Sequence, residues 1–423
     1  MIKSFIFENF KSFDKARLDL ENLTILIGSN SGGKTNAIEG IKILSEIATG
    51  RDFSIILDGS KNVDSDIRGG SRGCPKLNSN HFKLGCILDI DKEADLEYAI
   101  KIKIGDRIYI EEESLFKIFR DGNKELVFKT KRPAKDSGDI KVEYNNGKKG
   151  TNPDVICVRS SAVLPQLSSK IAAESDKLRE NIKYINMVVE NLRSMLFLNP
   201  IPSEMRDYSR INDSELRPKA DNLSSVLFKL FQDEKKKKSI LDVVGKLPEN
   251  EVLDIDFIQT PIGDVMFKLK EKYGKNADFI EAKRLSDGII RCIAVIASII
   301  SEKPGSIVII EEVDNGIHPS RAKSLIQAIS ALSKERQIDV IITTHNPALL
   351  NAISRDDIAG VSICYRNKDT GSSEFIQFLD IAQFPALLAQ GRLGDLAIND
   401  KIVAAIKERQ ENKEEYDWLG LEE

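Results

Sequence analysis

A run of eight residues near the amino terminus has the composition of a phosphate-binding loop. Residues 28–35 read Gly-Ser-Asn-Ser-Gly-Gly-Lys-Thr and match the pattern GxxxxGK[ST] at every fixed position. Glycines let the backbone approach phosphates, and the free N–H groups of such a turn donate hydrogen bonds to them. In this pattern the lysine reaches the β- and γ-phosphates and the threonine binds Mg²⁺. The predicted nucleotide-binding residues are Gly28, Asn30, Ser31, Gly32, Gly33, Lys34, Thr35 and Asn36.

Two carboxylates follow the strand-like apolar run 306–310. The first acid after such a strand commonly holds Mg²⁺ through water, and a second acid can polarise the attacking water. We therefore predict Glu311 as a metal-binding residue together with Thr35, and Glu312 as the catalytic base. Without the other motifs, a strand ending in two exposed acids would be the simpler interpretation.

A short polar run, Leu285-Ser286-Asp287-Gly288, precedes the apolar stretch 289–300, which is predicted to be a helix. A helix amino terminus carries partial positive charge and free N–H donors, so it suits an anion. Alternatively, Ser286 and Asp287 are an ordinary N-cap of that helix. The two interpretations are compatible because a capped helix end can still face a phosphate.

Hydrophobic patterns indicate the elements that would position these residues. The apolar run 23–27 is typical of a buried parallel strand, and apolar residues recur at helical spacing over 37–44. Between turn signals, stretches of residues 81–144 alternate apolar and polar side chains, which predicts antiparallel strands. A seam of apolar residues over 178–196 predicts one helix of about 30 residues, either packed on the protein or free in a coiled-coil hairpin.

Composition limits the class of protein. With 423 residues, 41% hydrophobic and 30% charged, the chain is typical of a globular protein of one to three domains. No apolar run approaches the roughly 20 residues of a membrane span, and no signal peptide is visible. The five cysteines are scattered and lack metal-binding spacing. Four of them lie within or beside apolar runs and are expected to be core thiols. We therefore expect a cytoplasmic protein without a membrane partner.

Two basic clusters leave nucleic acid open as a partner. Residues 235–238 are four lysines, and Lys131, Arg132 and Lys135 form a smaller group. Such clusters are usually solvated faces, although they can contact phosphates in a salt-dependent manner. The net charge of −4 argues against a surface that is basic everywhere.

The segment after Asn346 shows no convincing metal constellation. We expect one or two strands, a last helix over 400–410 and an acidic tail that contains Trp418. Exposed, this tryptophan would be a docking anchor; buried, it would fix the tail to the protein.

Together these motifs resemble the heads of ABC-type ATPases. The segment Glu8-Asn9-Phe10-Lys11-Ser12-Phe13 resembles the SMC and RecF branch, and the string 311–319, Glu-Glu-Val-Asp-Asn-Gly-Ile-His-Pro, is similar to small OLD-like AAA-family ATPases without a nuclease domain. Weaker similarity lies at 98–113, 202–206 and Asn222-Leu223.

The resemblance implies an α/β P-loop NTPase fold of the ABC head type, with an antiparallel β-subdomain and a helical insertion. The implied domains are a first lobe at 1–165 with the phosphate loop and β-subdomain, a helical insertion or lid at 166–275, and a second lobe at 276–423. The second lobe would carry the signature loop, the acid pair, a switch histidine and the tail.

The same resemblance assigns further roles. Ser286, Asp287 and Gly288 become a signature loop that completes the ATP site of a second copy in trans. His345 becomes the catalytic switch residue that contacts the γ-phosphate, and Asp314 and His318 become the D-loop. ATP and Mg²⁺ are the implied cofactors, and a homodimer or higher homo-oligomer forms through ATP.

One expected motif is missing. ABC heads normally carry a glutamine loop some tens of residues after the phosphate loop, whereas no glutamine occurs between Thr35 and Gln166. The missing glutamine and the short insertion argue against a transporter subunit and against a long-armed SMC protein.

The favoured hypothesis is therefore an ATP-hydrolysing enzyme that dimerises on ATP and regulates or scaffolds a separately encoded effector. By resemblance, that effector would be a nuclease or toxin in bacterial defence against phage. The alternatives are a RecF-like ATPase of DNA repair or recombination, a transporter ATPase subunit, and a scaffold that binds ATP without hydrolysing it.

Overall fold

The computed structural model describes residues 1–60, 63–134, 137–248, 251–381, 384–398, 401–402 and 404–406. The strands are β1 (Ile2–Phe10), β2 (Phe13–Asp19), β3 (Leu23–Ile27), β4 (Gly59–Ser60), β5 (Val63–Asp64), β6 (His81–Asp89), β7 (Ala94–Lys103), β8 (Tyr109–Phe119), β9 (Lys124–Thr130), β10 (Asp139–Tyr144), β11 (Asp154–Val158), β12 (Met195–Leu198), β13 (Ser209–Arg210), β14 (Glu251–Gln259), β15 (Asp264–Tyr273), β16 (Asn276–Glu281), β17 (Ile307–Ile310), β18 (Asp339–Thr343), β19 (Val361–Arg366) and β20 (Ser373–Gln377). The helices are α1 (Lys34–Ile47), α2 (Phe53–Asp58), α3 (Leu164–Leu167), α4 (Asp176–Arg193), α5 (Pro202–Met205), α6 (Leu223–Leu230), α7 (Glu234–Val244), α8 (Asp287–Ser301), α9 (Pro319–Arg336), α10 (Pro347–Leu350), α11 (Phe384–Gln390) and α12 (Leu393–Ile398).

The chain divides into two compact units. The first unit comprises residues 1–20, 28–195 and 364–375, and the second comprises 21–27, 196–363 and the described residues from 376 onward. Both units combine helices and strands, so the predicted α/β class is confirmed. The division into lobes at 165 and 275 stays a prediction.

A largely antiparallel sheet forms the body of the first unit. Its strands follow the order β11-β10-β9-β8-β7-β6-β1-β2-β20. All these pairs are antiparallel except β2 with β20, where Phe13 pairs with Ser373 in parallel. Buried and partly exposed residues alternate along much of β7, as expected for a sheet with one covered face. The prediction of antiparallel strands over 81–144 is confirmed.

The predicted helix of the apolar seam is shorter than expected. We predicted about 30 residues, but α4 has 18 residues, because Ser175 caps its start and the chain turns into β12 after Ser194. The Ser175 side chain accepts a hydrogen bond from the Leu178 N–H group. The apolar face of α4 is buried against α1 and α3 of the same unit. The packed helix is therefore the correct alternative, and the coiled-coil hairpin is wrong.

Parallel strands form the core of the second unit, in the order β19-β3-β18-β17-β12. The pairs β19 with β3, β3 with β18 and β18 with β17 are all parallel. Every residue of β3, β18 and β17 is buried, as is typical of strands covered on both faces. Because the strands are parallel, β17 and β18 end at the same edge, where ligands of open α/β sheets commonly bind. Glu311 follows β17, and Thr344 follows β18.

The apolar stretch after the signature run forms α8, which is predominantly buried. It packs against α5, α6, α7 and α9 and against β17 of the same unit. A smaller sheet, in which β15 pairs with β13, β14 and β16, precedes it along the chain. A helix that is hydrophobic on nearly all sides must be covered by other elements, and these neighbours provide that cover.

All five cysteines are buried free thiols, which confirms the core position predicted for four of them. Within the described ranges, no helix has the length and apolar character needed to cross a membrane. The helix predicted over 400–410 lies partly outside the described residues, and Trp418 and the acidic tail lie wholly outside them.

Candidate functional site

The phosphate loop begins directly after β3 and ends at α1. Gly28 has a φ of +137°, and a Cβ added there would lie 2.0 Å from the carbonyl oxygen of Cys364. Gly33 is the N-cap of α1 with a φ of +117°, and its Cβ would lie 2.7 Å from Ser373 Oγ. Both positions therefore require glycine. The loop thus places backbone without side chains next to the free N–H groups at the start of a 14-residue helix.

Lys34 is buried within the phosphate loop. Its Nζ donates hydrogen bonds to the carbonyl oxygens of Gly28, at 2.7 Å, and Ser29, at 2.9 Å. Burial raises the pKa of the Cys364 thiol to about 12, so the thiol stays protonated and donates to the Gly32 carbonyl at 3.1 Å. The other predicted contacts Asn30, Ser31 and Thr35 have exposed side chains.

The segment that resembles the SMC and RecF branch contacts the helix after the phosphate loop. Asn36 Nδ2 donates to Ser12 Oγ at 2.8 Å, and Asn36 Oδ1 accepts from the Arg68 guanidinium at 3.0 Å. Ser12 Oγ also accepts from Ser373 Oγ at 2.8 Å. Asn36 is therefore held from two sides, immediately after the predicted magnesium ligand.

A buried ion pair supports this contact. Glu39 is 6% exposed, and its carboxylate lies 2.7 Å from Lys11 Nζ and 2.8 Å from Arg68 Nε. Burial alone would raise the pKa of Glu39, but hydrogen bonds from Arg68 and Lys11 hold it below its ordinary value of 4.5. The sequence interpretation missed Glu39 and Arg68. An acidic residue inside the apolar pattern 37–44 was the available signal for Glu39.

The acid pair follows β17 with a strained backbone. Glu311 is half-buried, whereas the Glu312 side chain is exposed. Glu312 has a φ of 46°, in the left-handed region that residues other than glycine seldom adopt. Its N–H group donates to Thr343 Oγ1 at 2.8 Å, at the end of β18. Such strain is commonly found at functional sites, where the surrounding structure holds it in place.

The segment after β18 is joined to the predicted D-loop. Thr344 is fully buried, and its Oγ1 donates to the Asp314 carboxylate at 2.5 Å. The same hydroxyl accepts from the Asn346 N–H group at 3.0 Å. Between these two residues, His345 has an exposed side chain. The structure therefore brings Asp314 to the predicted switch segment.

The other predicted D-loop residue has a local role. His318 is the N-cap of α9, and its ring Nδ1 accepts from the Ser320 N–H group at 3.3 Å. Nδ1 also lies 2.8 Å from Ser320 Oγ. His318 thus begins the helix that follows the D-loop.

The signature run lies at the start of α8, but its serine does not cap the helix. Ser286 occupies the N-cap position, and its side chain makes no capping hydrogen bond within the described structure. Ser286 and Asp287 are exposed, whereas Gly288 is buried. The predicted N-cap position of Ser286 is therefore confirmed, but the side-chain hydrogen bond of an ordinary cap is missing in the described structure. The N–H groups of the first turn remain for another acceptor.

The signature run and the D-loop share one pocket in the second unit. A Cβ added to Gly288 would lie 3.0 Å from the Gly316 carbonyl oxygen and 3.3 Å from Arg321 Nη1, so the helix start is packed closely on the D-loop. The pocket has a volume of about 640 Å³. Its lining includes Arg284, Ser286, Gly288, Gly316, His318 and Arg321, together with the carboxylates of Glu271 and Asp287. Basic side chains beside a helix amino terminus suit a phosphate.

Gln166, which stands where the glutamine-free stretch ends, is engaged in local hydrogen bonds. Its Nε2 donates to the carbonyl oxygens of Val158, at 2.9 Å, and Ala162, at 3.0 Å. Its Oε1 accepts from the Val158 N–H group at 2.9 Å. The side chain therefore closes the loop after β11.

The smaller basic cluster is partly neutralised. Lys131 Nζ lies 2.7 Å from the Asp154 carboxylate, and Lys135 lies outside the described residues. In the lysine run of α7, Lys237 Nζ lies 5.9 Å from the centroid of the Phe231 ring. Across the described residues, no group of three or more histidine, cysteine, aspartate or glutamate side chains is arranged to hold a metal ion.

Several solved structures are similar to this chain. An SMC head bound to the C-winged helix domain of ScpA matches with 15% identity and a TM-score of 0.46, over 89% of this chain and 97% of that one. The SMC head domain from Thermotoga maritima matches with 13% identity and a TM-score of 0.40, over 89% and 98%. An SMC head with an extended coiled coil, bound to the C-terminal domain of ScpA derived from Pyrococcus furiosus, matches with 14% identity and a TM-score of 0.43, over 89% and 95%.

No curated protein sequence matches the chain. A family model described as "AAA domain, putative AbiEii toxin, Type IV TA system" matches residues 23–351. This match includes the phosphate loop, the signature run, the acid pair and His345. The chain therefore belongs to this family of AAA-type ATPase domains, which confirms the resemblance inferred from its motifs.

Proposed function

We propose that this protein is an ATP-hydrolysing switch that dimerises on ATP and regulates a separately encoded effector. The observation that carries the proposal is the uncapped start of α8. Ser286 is exposed there, and Gly288 lies directly against the D-loop at one pocket. A helix end with free N–H donors beside arginine side chains supports binding of a phosphate.

Each half of the nucleotide site has its own residues in this proposal. Lys34 binds the β- and γ-phosphates, and Thr35 and Glu311 hold the magnesium ion. The buried position of Lys34 inside the phosphate loop supports its role. Glu312 orients the attacking water, and His345 contacts the γ-phosphate. Thr343 supports these roles, because it joins the backbone of Glu312 to the strand that precedes His345.

The opposing surface is supplied by a second copy. Ser286 and the N–H group of Gly288 receive the γ-phosphate that is bound by the phosphate loop of the partner molecule. Asp314 joins the proposed γ-phosphate contact to the proposed dimer surface. It contacts Thr344, next to His345, and it belongs to the D-loop, which lies against Gly288. Through this contact, loss of the γ-phosphate would change the structure of the dimer surface.

The effector in this proposal is a nuclease or toxin, and the setting is cytoplasmic defence of bacteria against phage. The family description, which names a putative toxin and a type IV toxin–antitoxin system, supports a partnership of this kind. ATP-dependent dimerisation would control the effector by assembling or separating its binding surfaces.

The test is nucleotide-driven dimerisation, measured by sedimentation with a non-hydrolysable ATP analogue and Mg²⁺. Wild-type protein should dimerise. Ser286→Arg should bind a fluorescent ATP analogue normally but stay monomeric, because a bulky side chain blocks the helix end. Lys34→Ala should lose both properties, and Ser169→Arg, at an exposed serine in the first unit, should behave as wild type. Dimers of Ser286→Arg at wild-type analogue concentrations would reject the proposed interface.

A further inference from the structure

We infer that Arg206 is a positioning residue for the signature run, and that it screens the Asp287 carboxylate from the phosphate of the opposing nucleotide. The inference rests on the proposed function, and it names a residue of the second unit that no sequence motif assigned to the site. Arg206 directly follows α5, far from α8 in sequence.

The contacts of Arg206 lie on both sides of Ser286. Its Nη2 donates to the Leu285 carbonyl oxygen at 2.7 Å and to the Asp287 carboxylate at 2.6 Å. One guanidinium nitrogen therefore holds the residue before Ser286 and the residue after it. Met205, the last residue of α5, is buried, and α5 packs on α8, so the arginine projects from a supported element.

The hydrogen bonds from Arg206 take the place of the N-cap side-chain hydrogen bond that the signature run lacks. An N-cap side chain normally holds the start of a helix by accepting from the first-turn N–H groups. Ser286 makes no such hydrogen bond in the described structure. Arg206 can fix the bend from outside and leave the N–H groups of the first turn available for a phosphate oxygen.

The charge of Asp287 creates the second need for Arg206. An acidic residue in the first turn of a helix interacts favourably with the helix dipole, but it repels a triphosphate that approaches the same helix end. In the ion pair the Asp287 side chain is 59% exposed, whereas the Arg206 side chain is 26% exposed. The guanidinium of Arg206 compensates the negative charge of Asp287 at a distance too short for dissolved salt to screen that charge.

An unsatisfied donor indicates that the arrangement is not optimised for stability alone. Among the described residues, Arg206 Nε is buried without a hydrogen-bond partner. Buried donors are nearly always paired in folded proteins because an unpaired donor destabilises the fold. A guanidinium that leaves one donor unpaired here while bonding Leu285 and Asp287 fits a role at the nucleotide interface.

The first experiment tests positioning in nucleotide-free protein, independently of dimerisation. Amide hydrogen exchange at Leu285 and Ile290, whose N–H groups donate to the carbonyl oxygens of Ala282 and Ser286, should become about tenfold faster in Arg206→Ala, because the loop loses the hydrogen bonds that hold it from outside. Arg217→Ala is the matched control, since Arg217 also forms surface ion pairs, with Asp213 and Asp221. Its exchange at Leu285 and Ile290 should equal that of wild type. Unchanged exchange in Arg206→Ala would overturn the positioning role.

The second experiment tests screening by charge rescue. Arg206→Ala should raise the concentration of non-hydrolysable ATP analogue needed for half-maximal dimerisation by about tenfold, because the Asp287 charge is then uncompensated. Arg206→Ala combined with Asp287→Asn should return that concentration towards the wild-type value. A purely structural arginine would not be rescued by removing one negative charge, so failure of the rescue overturns screening. If wild-type protein does not dimerise at all, the proposed function and the screening are both rejected, while the exchange result still decides positioning.

Discussion

Glu312 combines a proposed catalytic role with a strained backbone, and two substitutions separate these properties. The residue has a φ of 46°, and its side chain is exposed. Glu312→Gln keeps the backbone strain and the side-chain shape but removes the base. Glu312→Gly removes the base and also relieves the strain, because glycine adopts this conformation without a steric penalty.

The structure sets the expected magnitudes. A left-handed conformation costs about 1–2 kcal/mol in a residue other than glycine, and the greater freedom of unfolded glycine offsets roughly 0.5–1 kcal/mol of that gain. Glu312→Gly should therefore be more stable than Glu312→Ala by about 0.5–1 kcal/mol. Loss of the general base should lower the turnover of both Glu312→Gln and Glu312→Gly by about 10²–10⁴-fold.

Two assays and one control check this reasoning. Urea unfolding of nucleotide-free protein compares the glycine and alanine variants, and phosphate release measures turnover. Glu335, exposed within α9, is the matched control. At that helical position the order should reverse, and Glu335→Gly should be less stable than Glu335→Ala by at most about 1 kcal/mol, the value for a helix interior, because Glu335 is next to the last residue of α9.

The backbone strain and the catalytic role of Glu312 can be refuted separately. If Glu312→Gly is less stable than Glu312→Ala, the left-handed backbone is not held in solution. If Glu312→Gln releases phosphate at the wild-type rate, Glu312 is not the catalytic base, and another group must orient the water.

Two further predictions concern the first unit. Gly28→Ala should weaken binding of a fluorescent ATP analogue at least tenfold, because its Cβ would lie 2.0 Å from the Cys364 carbonyl oxygen; Gly122→Ala, at a positive φ with no atom within 4 Å, should leave binding unchanged, and equal affinities would contradict the close packing. Since the folded-state pKa of Glu39 lies below its ordinary 4.5, its ionised form stabilises the fold above that pH, and this contribution is lost as the pH falls through the lowered pKa. Glu39→Gln should therefore be less stable than wild type at pH 7, with a smaller difference below pH 4.5; urea midpoints that stay equally separated across this range would show that the ion pair does not contribute.

Some of the fold could be predicted from local patterns because those patterns carry their own physical cause. Mainly apolar runs such as 23–27 and 340–342 are buried strands, and the spacing of glycine and lysine in 28–35 predicts a loop that approaches phosphate. The alternation in 81–144 is equally local, since side chains of a strand point to opposite faces in turn. These predictions needed no knowledge of distant residues.

The length of α4 was not predictable in the same way. The apolar seam continues to residue 196, but a capping serine and the turn into β12 limit the helix to 18 residues. Periodicity reports which face can be buried, whereas the ends of a helix depend on the hydrogen bonds available there. The likeness of 202–206 to the family also had no physical explanation until Arg206 was found beside Asp287.

The sequence by itself determined the local motifs of this protein: a phosphate loop, an acid pair after a buried strand and a helix that starts with a signature run. Each depends on residues that are close neighbours in the chain. Only the tertiary structure decided which distant groups support them, namely Thr344 with Asp314, Asn36 with Ser12, and Arg206 with Asp287. These pairs arise from packing, because side chains separated by tens of residues meet only after strands and helices have taken their places in the fold.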